Sequence, residues 1–191
     1  MKNIFLIDFD NTLLDTEKFK AEINQKIDKD FKGVITKERF WQIYHEIYQE
    51  YGYNNIDALS QKLIKLYPTF SRADFTRLFY QTNLQRFLFP DSLKFIQSLQ
   101  NNGKVIIYTQ GEPKFQLFKI QKTGLGSLVS PENIMIRQKK NPTQLAAKAR
   151  LIIDDRAEIL ESTKNTNPKI ITIWFKYGKY KHTLPQNKAL I

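Results

Sequence analysis

Asp8 and Asp10 stand at the end of an apolar run, in "KNIFLIDFDNTLLDT". Ionised carboxylates at the end of a buried strand are costly unless a cation or hydrogen bonds compensate them. Residues two apart on a strand point to the same side, so both side chains can face one ligand. Two further apolar runs end in polar groups: "VIIYTQG" in Thr109, Gln110 and Gly111, and "LIIDDR" in Asp154 and Asp155. Between them, "RQKKNP" offers Lys139 and Lys140. Carboxylates from two strand ends can hold a hard divalent ion, and magnesium suits few carboxylates together with water and a phosphate oxygen. Such an ion also offsets the repulsion that otherwise raises a carboxylate pKa. A carboxylate beside it can attack phosphorus and divide a hard displacement into two steps. A second carboxylate within reach can protonate the leaving oxygen and later deprotonate water. A threonine hydroxyl, backbone N–H groups at a glycine-containing turn and a lysine can hold the phosphoryl oxygens.

These residues need a scaffold that brings distant segments together. "KNIFLI", "KVIIYT", "NIMI", "LIID" and "IITIWF" read as strands, and from residue 90 onward they alternate with helical segments. Several are apolar on both faces, which predicts a parallel sheet covered on each side, an α/β fold with five core strands. In such sheets ligands bind beyond the carboxyl ends of the strands, where strand order reverses. Between the first strand and the rest, the apolar spacing becomes helical. Phe19, Ile23, Ile27 and Phe31 recur at steps of four, and Phe40, Ile43, Tyr44, Ile47, Tyr48 and Tyr51 follow a similar period. Ser71 and Asp74 form a capping-box-like start. Residues 1–14 and 90–191 therefore read as one α/β domain, interrupted by an all-helical insert over 15–89, with hinges near 14–16 and 89–91.

Composition narrows the classes. The chain has no cysteine, which removes disulfides, thiolate zinc sites and cysteine nucleophiles and fits a reducing compartment. The apolar patch at the start is short, is interrupted by Asp8 and lacks a small-residue cleavage pattern, so it does not read as a secretory signal. No apolar run approaches a membrane span, and a cytoplasmic protein without membrane contact is expected. The net charge of +11 is lopsided: residues 91–191 hold 17 of the 30 Lys and Arg but 7 of the 19 Asp and Glu. That field suits anionic partners, including phosphorylated metabolites and nucleic acid.

"DFDNT", "YTQG", "RQKKNP" and "LIIDDRAEIL" together resemble the four sequential motifs of the haloacid dehalogenase-like (HAD) hydrolases. The resemblance implies a Rossmann-like three-layer sheet with the first strand central and a helical cap inserted after the first motif. It implies Asp8 as nucleophile and magnesium ligand, and Asp10 as general acid/base that ligates the ion through its backbone carbonyl. Thr109 would bind phosphate, with Gln110 and Gly111 beside it. Asp155 is favoured as the direct metal ligand of the fourth motif, and Asp154 is the other candidate. Counting back from Pro142 and Leu145 places Lys139 at the family's lysine, while Lys140 occupies the place of the first proline and is the second candidate. Asn11 stands where many relatives have glycine, a position that asparagine also tolerates. The aspartate at position 10 separates the chain from the dehalogenase branch, so the resemblance favours phosphomonoester hydrolysis.

The other conspicuous residues read more plainly. Lys119 is expected on a helix surface, and Arg156 is expected to face solvent beside Asp154 or Glu158. Trp41, Tyr44, Tyr48 and Tyr51 form a helical stripe that suits packing. His45 and His182 have no partner at metal-ligand spacing. "WFKYGKYKH" mixes aromatics with lysines in the manner of some single-strand binders, but part of it is expected in a core strand. A magnesium-dependent phosphatase of a small phosphorylated metabolite, monomeric, is the expectation. A nucleotidase or nucleic-acid end phosphatase, and a non-catalytic phosphate- or nucleic-acid-binding relative, are the alternatives.

Overall fold

Alternation along the first strand divides its side chains between two cores. In the computed structural model, which describes residues 3–183, β1 spans Asn3–Ile7. Phe5 and Ile7 join Val105, Ile107, Leu151 and Ile153 on one face, and Leu6 joins Ile106, Ile152 and Leu160 on the other. Burying each such side chain contributes about 1.5–3 kcal/mol, so a strand apolar on both faces is stable only at the centre of a covered sheet. β1 occupies that place. It pairs in parallel with β2 (Gly103–Gln110) on one side and β4 (Leu151–Asp154) on the other. β3 (Ile134–Arg137) and β5 (Ile171–Trp174) complete the order β3-β2-β1-β4-β5. Strand order therefore reverses at β1, and the carboxyl ends of β1, β2 and β4 converge beneath one crevice.

Four helices follow β1: α1 (Thr16–Asp30), α2 (Lys37–Tyr51), α3 (Ile56–Leu66) and α4 (Arg72–Tyr80). Their inward stripes, among them Phe19, Ile23, Phe40, Ile43, Leu63, Phe75 and Phe79, are continuous with the core on one sheet face. The Asp15, Thr36, Asn55 and Ser71 side chains cap the first turns, and the reciprocal bond that Ser71 N–H donates to the Asp74 carboxylate closes a capping box. The chain enters and leaves this layer through two paired segments. Asp15 N–H donates to Phe87 O at 2.7 Å and Phe89 N–H to Leu13 O at 2.9 Å, with Leu14 and Leu88 bridged between them.

Beyond that pair come α5 (Ser92–Gln100), β2, α6 (Pro113–Lys122) and α7 (Leu125–Leu128). They are followed by β3, α8 (Thr143–Ala146), β4, α9 (Ala157–Thr166) and β5. α9 packs Ile159 and Leu160 on the second sheet face. β5 takes its expected place in the five-stranded sheet, as an edge strand among the described residues, with Ile171 51% and Ile173 44% exposed. The "WFKYGKYKH" aromatics are engaged in packing. The Phe175 and Tyr177 rings lie 5.1 and 4.9 Å from Phe89, and Tyr177 Oη donates to Asp15 at 2.9 Å. The end of the basic tail, residues 184–191, lies outside the described residues. Among the described residues no helix is long and apolar enough to cross a membrane.

Candidate active site

The loop after β1 is built to expose carboxylates. Phe9 is fully buried, and its carbonyl accepts from both Leu13 and Leu14 N–H at 2.9 Å, which folds the chain back tightly. Asn11 takes the left-handed conformation this fold needs, with φ of 60°. Asp8 is left facing the crevice, its Oδ2 accepting from Thr12 Oγ1 at 3.2 Å. At the end of β4, Asp154 and Asp155 approach it: one carboxylate oxygen from each of Asp8, Asp154 and Asp155 lies within 4.8 Å of the others. All three are buried.

Lys140 is the cation of this cluster. Its Nζ donates to Asp8 Oδ1 and, at 2.6 Å, to Asp154 Oδ2. Burial alone would lower the Lys140 pKa, but the charges of Asp154 and Asp8 outweigh it and hold the ammonium above its usual value. Lys139, the first candidate from sequence counting, is exposed and has no place in the cluster. The loop explains why: Lys140 N–H donates to Gln110 Oε1 at 3.2 Å and Asn141 N–H to Tyr108 Oη at 2.8 Å, which turns residue 140 inward.

Lys140, even with Arg156 Nε 3.9 Å from Asp154, does not neutralise three carboxylates. Asp155 is 4% exposed and makes no ion pair among the described residues; the Asn11 amide donates to it. Burial, then repulsion from Asp8 and Asp154, pushes its carboxyl up to about 8, and burial pushes Asp8 up to about 6. A buried, electrically unbalanced set of carboxylate oxygens is what a hard divalent cation compensates, so these residues could hold a metal ion of that class. A carboxyl whose pKa is higher in the folded than in the unfolded chain binds more protons when folded, so stability falls as pH rises through the interval. For Asp155 the interval runs from the ordinary 3.8 to about 8. In chelator, the thermal midpoint is expected to drop by several degrees from about pH 5 to about pH 8. Magnesium should raise it more at the upper pH, and Asp155→Asn should blunt both effects. Scanning calorimetry checks this, and a midpoint indifferent to magnesium at both pH values would overturn the assignment.

Asp10 sits apart from this cluster. Its carboxylate faces α6, where Lys119 Nζ lies 2.5 Å from Oδ1 and Gln116 Nε2 lies 2.7 Å from Oδ2. Thr16 Oγ1, at the first residue of α1, donates to Oδ1 at 2.9 Å. Burial works to raise the Asp10 pKa, but the Lys119 charge and the bonds from Lys119, Gln116 and Thr16 overcome it and hold it below the usual value. Lys119 is thus 5% exposed and internal, where a surface position was expected. Gln116 carried no sequence signal.

The phosphate-binding candidates divide. Thr109 is buried in the cavity wall, its Oγ1 3.2 Å from Gln116 Nε2. Gln110 braces the site, its Oε1 accepting from Lys140 N–H and, at 3.2 Å, from Arg156 Nη1. Of the backbone N–H groups at the glycine-containing turn, that of Gly111 is engaged, donating to Arg137 O at 2.9 Å in the sheet extension. Glycine is needed there for another reason: a Cβ would lie 2.7 Å from the Gln116 side chain. Arg156 lines the cavity instead of facing solvent, with Nε 3.9 Å from both Asp154 and Glu158.

These groups surround a cavity of about 160 Å³. Its far wall comes from the helical layer, with Phe19, Ile23, Trp41, Tyr44, Tyr48 and Phe79, so part of the aromatic stripe lines the site as well as packing. Lys179 and Tyr180 reach the wall from the tail. Gly178 makes that approach possible, since a Cβ there would lie 2.7 Å from the Asn11 amide.

A family model described as haloacid dehalogenase-like hydrolase matches residues 2–159. Among solved structures, a haloacid dehalogenase-like hydrolase from Burkholderia xenovorans LB400 is similar to this chain, with a TM-score of 0.79 and 24% identity over 94% of this chain and 86% of that one. The HAD-hydrolase YfnB from Bacillus subtilis, bound to magnesium, gives a TM-score of 0.61 and 16% identity over 97% and 92% of the two chains. The L-2-haloacid dehalogenase from Xanthobacter autotrophicus gives 0.54 and 16% over 90% and 76%. These likenesses carry the fold. No curated protein matches the chain.

Proposed function

Since the chain belongs to the haloacid dehalogenase-like hydrolases, we propose that it is a magnesium-dependent phosphomonoesterase acting through an aspartyl-phosphate on Asp8. The observation that carries the reading is the buried Asp8, Asp154 and Asp155 cluster with Lys140 bonded to the would-be nucleophile. Asp8 attacks phosphorus, the bond to the leaving oxygen breaks, and that oxygen keeps the electron pair and takes a proton from Asp10, whose ionised form Lys119 favours in the free chain and which takes up that proton beside the negatively charged substrate. Water then attacks the phosphoryl group, Asp10 receives its proton, and the bond to Asp8 breaks. Lys140 and Thr12 orient the Asp8 carboxylate, and the Lys140 ammonium and Thr109 hydroxyl are the donors placed to hold phosphoryl oxygens. Asp8, Asp154 and Asp155 would hold magnesium, with the Asp10 carbonyl as a further candidate; when bound, the ion supplies charge stabilisation to the phosphoryl oxygens.

The helices of 15–89 act in this reading as a cap over the leaving group, pivoting on the paired segments near 14–16 and 89–91. A cavity of about 160 Å³ is close to the roughly 150 Å³ that holds one benzene ring. A space of that size beside the carboxylates suits a small metabolite as the leaving group. The dehalogenases among the structural neighbours suggest halide displacement as a rival, but a halide leaves without a proton and gives Asp10 no task.

A phosphate-release screen tests this over sugar phosphates, small aryl phosphates, nucleotides and phosphorylated DNA ends, with and without magnesium, beside halide release from a 2-chloro acid. Magnesium-dependent phosphate release from small esters is expected. Halide release without phosphate release, or preference for DNA ends, would overturn the reading.

A further inference from the structure

Gln116 and Lys119 lie three residues apart on one face of α6, and each takes a different oxygen of the Asp10 carboxylate. Lys119 is enclosed as well as paired: its Nζ lies 5.4 Å from the Phe9 ring centroid and 5.2 Å from that of Phe115. A buried ammonium is costly without its counter-charge, and Asp10 is its ion-pair partner among the described residues. Gln116 Nε2 also reaches Gln110 O at 2.6 Å and Thr109 Oγ1 at 3.2 Å, which ties Asp10 to the end of β2. The α6 face is therefore arranged around one carboxylate, and Lys119 is separate from Lys140, which serves Asp8.

We infer that Lys119, with Gln116, is a positioning residue that fixes the plane of the Asp10 carboxyl for proton exchange with the leaving oxygen. This rests on the phosphomonoesterase reading above. Lys119 lines the cavity but touches neither Asp8 nor the carboxylate cluster, and its ammonium is bonded to Asp10; the double substitution with Asp10 separates action through that carboxylate from direct contact with substrate. The contribution is largest where the leaving oxygen most needs a proton, and it disappears where Asp10 can no longer carry one.

Phosphate release by the whole chain with magnesium, from phenyl phosphate and from 2,4-dinitrophenyl phosphate, tests the assignment. The second leaving group departs without a proton. Lys119→Met is expected to lower kcat/KM, which reports transfer to Asp8 and not the later attack of water, by about ten- to a hundredfold on phenyl phosphate and far less on the dinitrophenyl ester. In an Asp10→Asn background the same substitution should cost nothing further in kcat/KM, the signature of two residues acting as one unit. Lys119→Arg should recover part of the loss. If Lys119→Met does not fold, Gln116→Met carries the same cycle from the other carboxylate oxygen. Equal losses on both esters, or an undiminished loss in the Asp10→Asn background, would overturn the positioning role alone. Release of phosphate from neither ester by the unsubstituted chain would overturn the phosphomonoesterase reading, and the positioning role with it.

Discussion

Asp8→Asn is expected to lower phosphate release on the order of 10⁴-fold or more, as removal of a nucleophile does elsewhere, while the chain stays folded. The amide is nearly isosteric, so the contacts of the Asp8 side chain with Thr12 and Lys140 keep their positions. It is a poor nucleophile, so no phosphoryl group is transferred. Asp8 is one of three crowded carboxylates, and the burial and repulsion that push it up to about 6 are relieved when its charge is removed. In chelator near neutral pH, the variant should therefore be at least as stable as the unsubstituted chain. Acid-quenched mass spectrometry should find a phosphoryl adduct on Asp8 of the unsubstituted chain and none on the variant. An active variant, or an adduct on another residue, would remove Asp8 from the mechanism.

Asp10→Asn is expected to cost about 10²–10⁴-fold in kcat on esters with poor leaving groups, the usual range for a general acid. An asparagine accepts from Thr16 and Lys119 much as the carboxylate does, but it has no proton to give a leaving oxygen. Stability should fall as well, by about 1–3 kcal/mol, because a buried polar group loses its partner. Lys119 loses its counter-charge, and the Asn amide meets the Gln116 amide donor to donor. Gln116 Oε1 is buried without a hydrogen bond, so a flip of that side chain relieves the clash, but its Nε2 then leaves Gln110 O and Thr109 Oγ1. Steady-state kinetics beside calorimetry separates the two effects. Undiminished turnover of phenyl phosphate would deny Asp10 its proton-transfer role.

What was legible in the sequence followed from periodicity and strand ends. A continuous apolar run marks a central strand, and the polar groups just beyond it must meet those of its neighbours, so Asp8, Asp154 and Asp155 were legible as candidates for one site, whereas Asp10, expected to face the same ligand as Asp8, turns its carboxylate to Lys119 and Gln116 instead. Lys119 was not legible because α6 carries apolar residues nearly all round. Phe115, Leu117, Phe118 and Ile120 leave no clean stripe, and the inward face proves to be Phe115, Gln116, Lys119 and Ile120, with Leu117 outward. The choice between Lys139 and Lys140 failed for a different reason. The pair lies in a loop without a repeat, and its facing is set by distant partners, Tyr108 and Gln110. The Gly111 N–H was lost as a candidate because the β2–β3 pairing runs one residue past the strand.

The outer margin of β5 has consequences for handling the protein. A strand whose hydrogen-bonding edge is open among the described residues, beside an outward row of Ile171 and Ile173, is a template on which the strand of another copy can stack. Lys169 and Lys176 bracket it, with Lys176 Nζ 4.6 Å over the Trp174 ring, and every copy carries the same +11. That mutual repulsion reaches about 10 Å in 0.1 M salt but only about 3 Å in 1 M. Concentrated stocks should therefore cloud in strong brine while each molecule remains folded, so that shelf life is set by counter-ions rather than by the core.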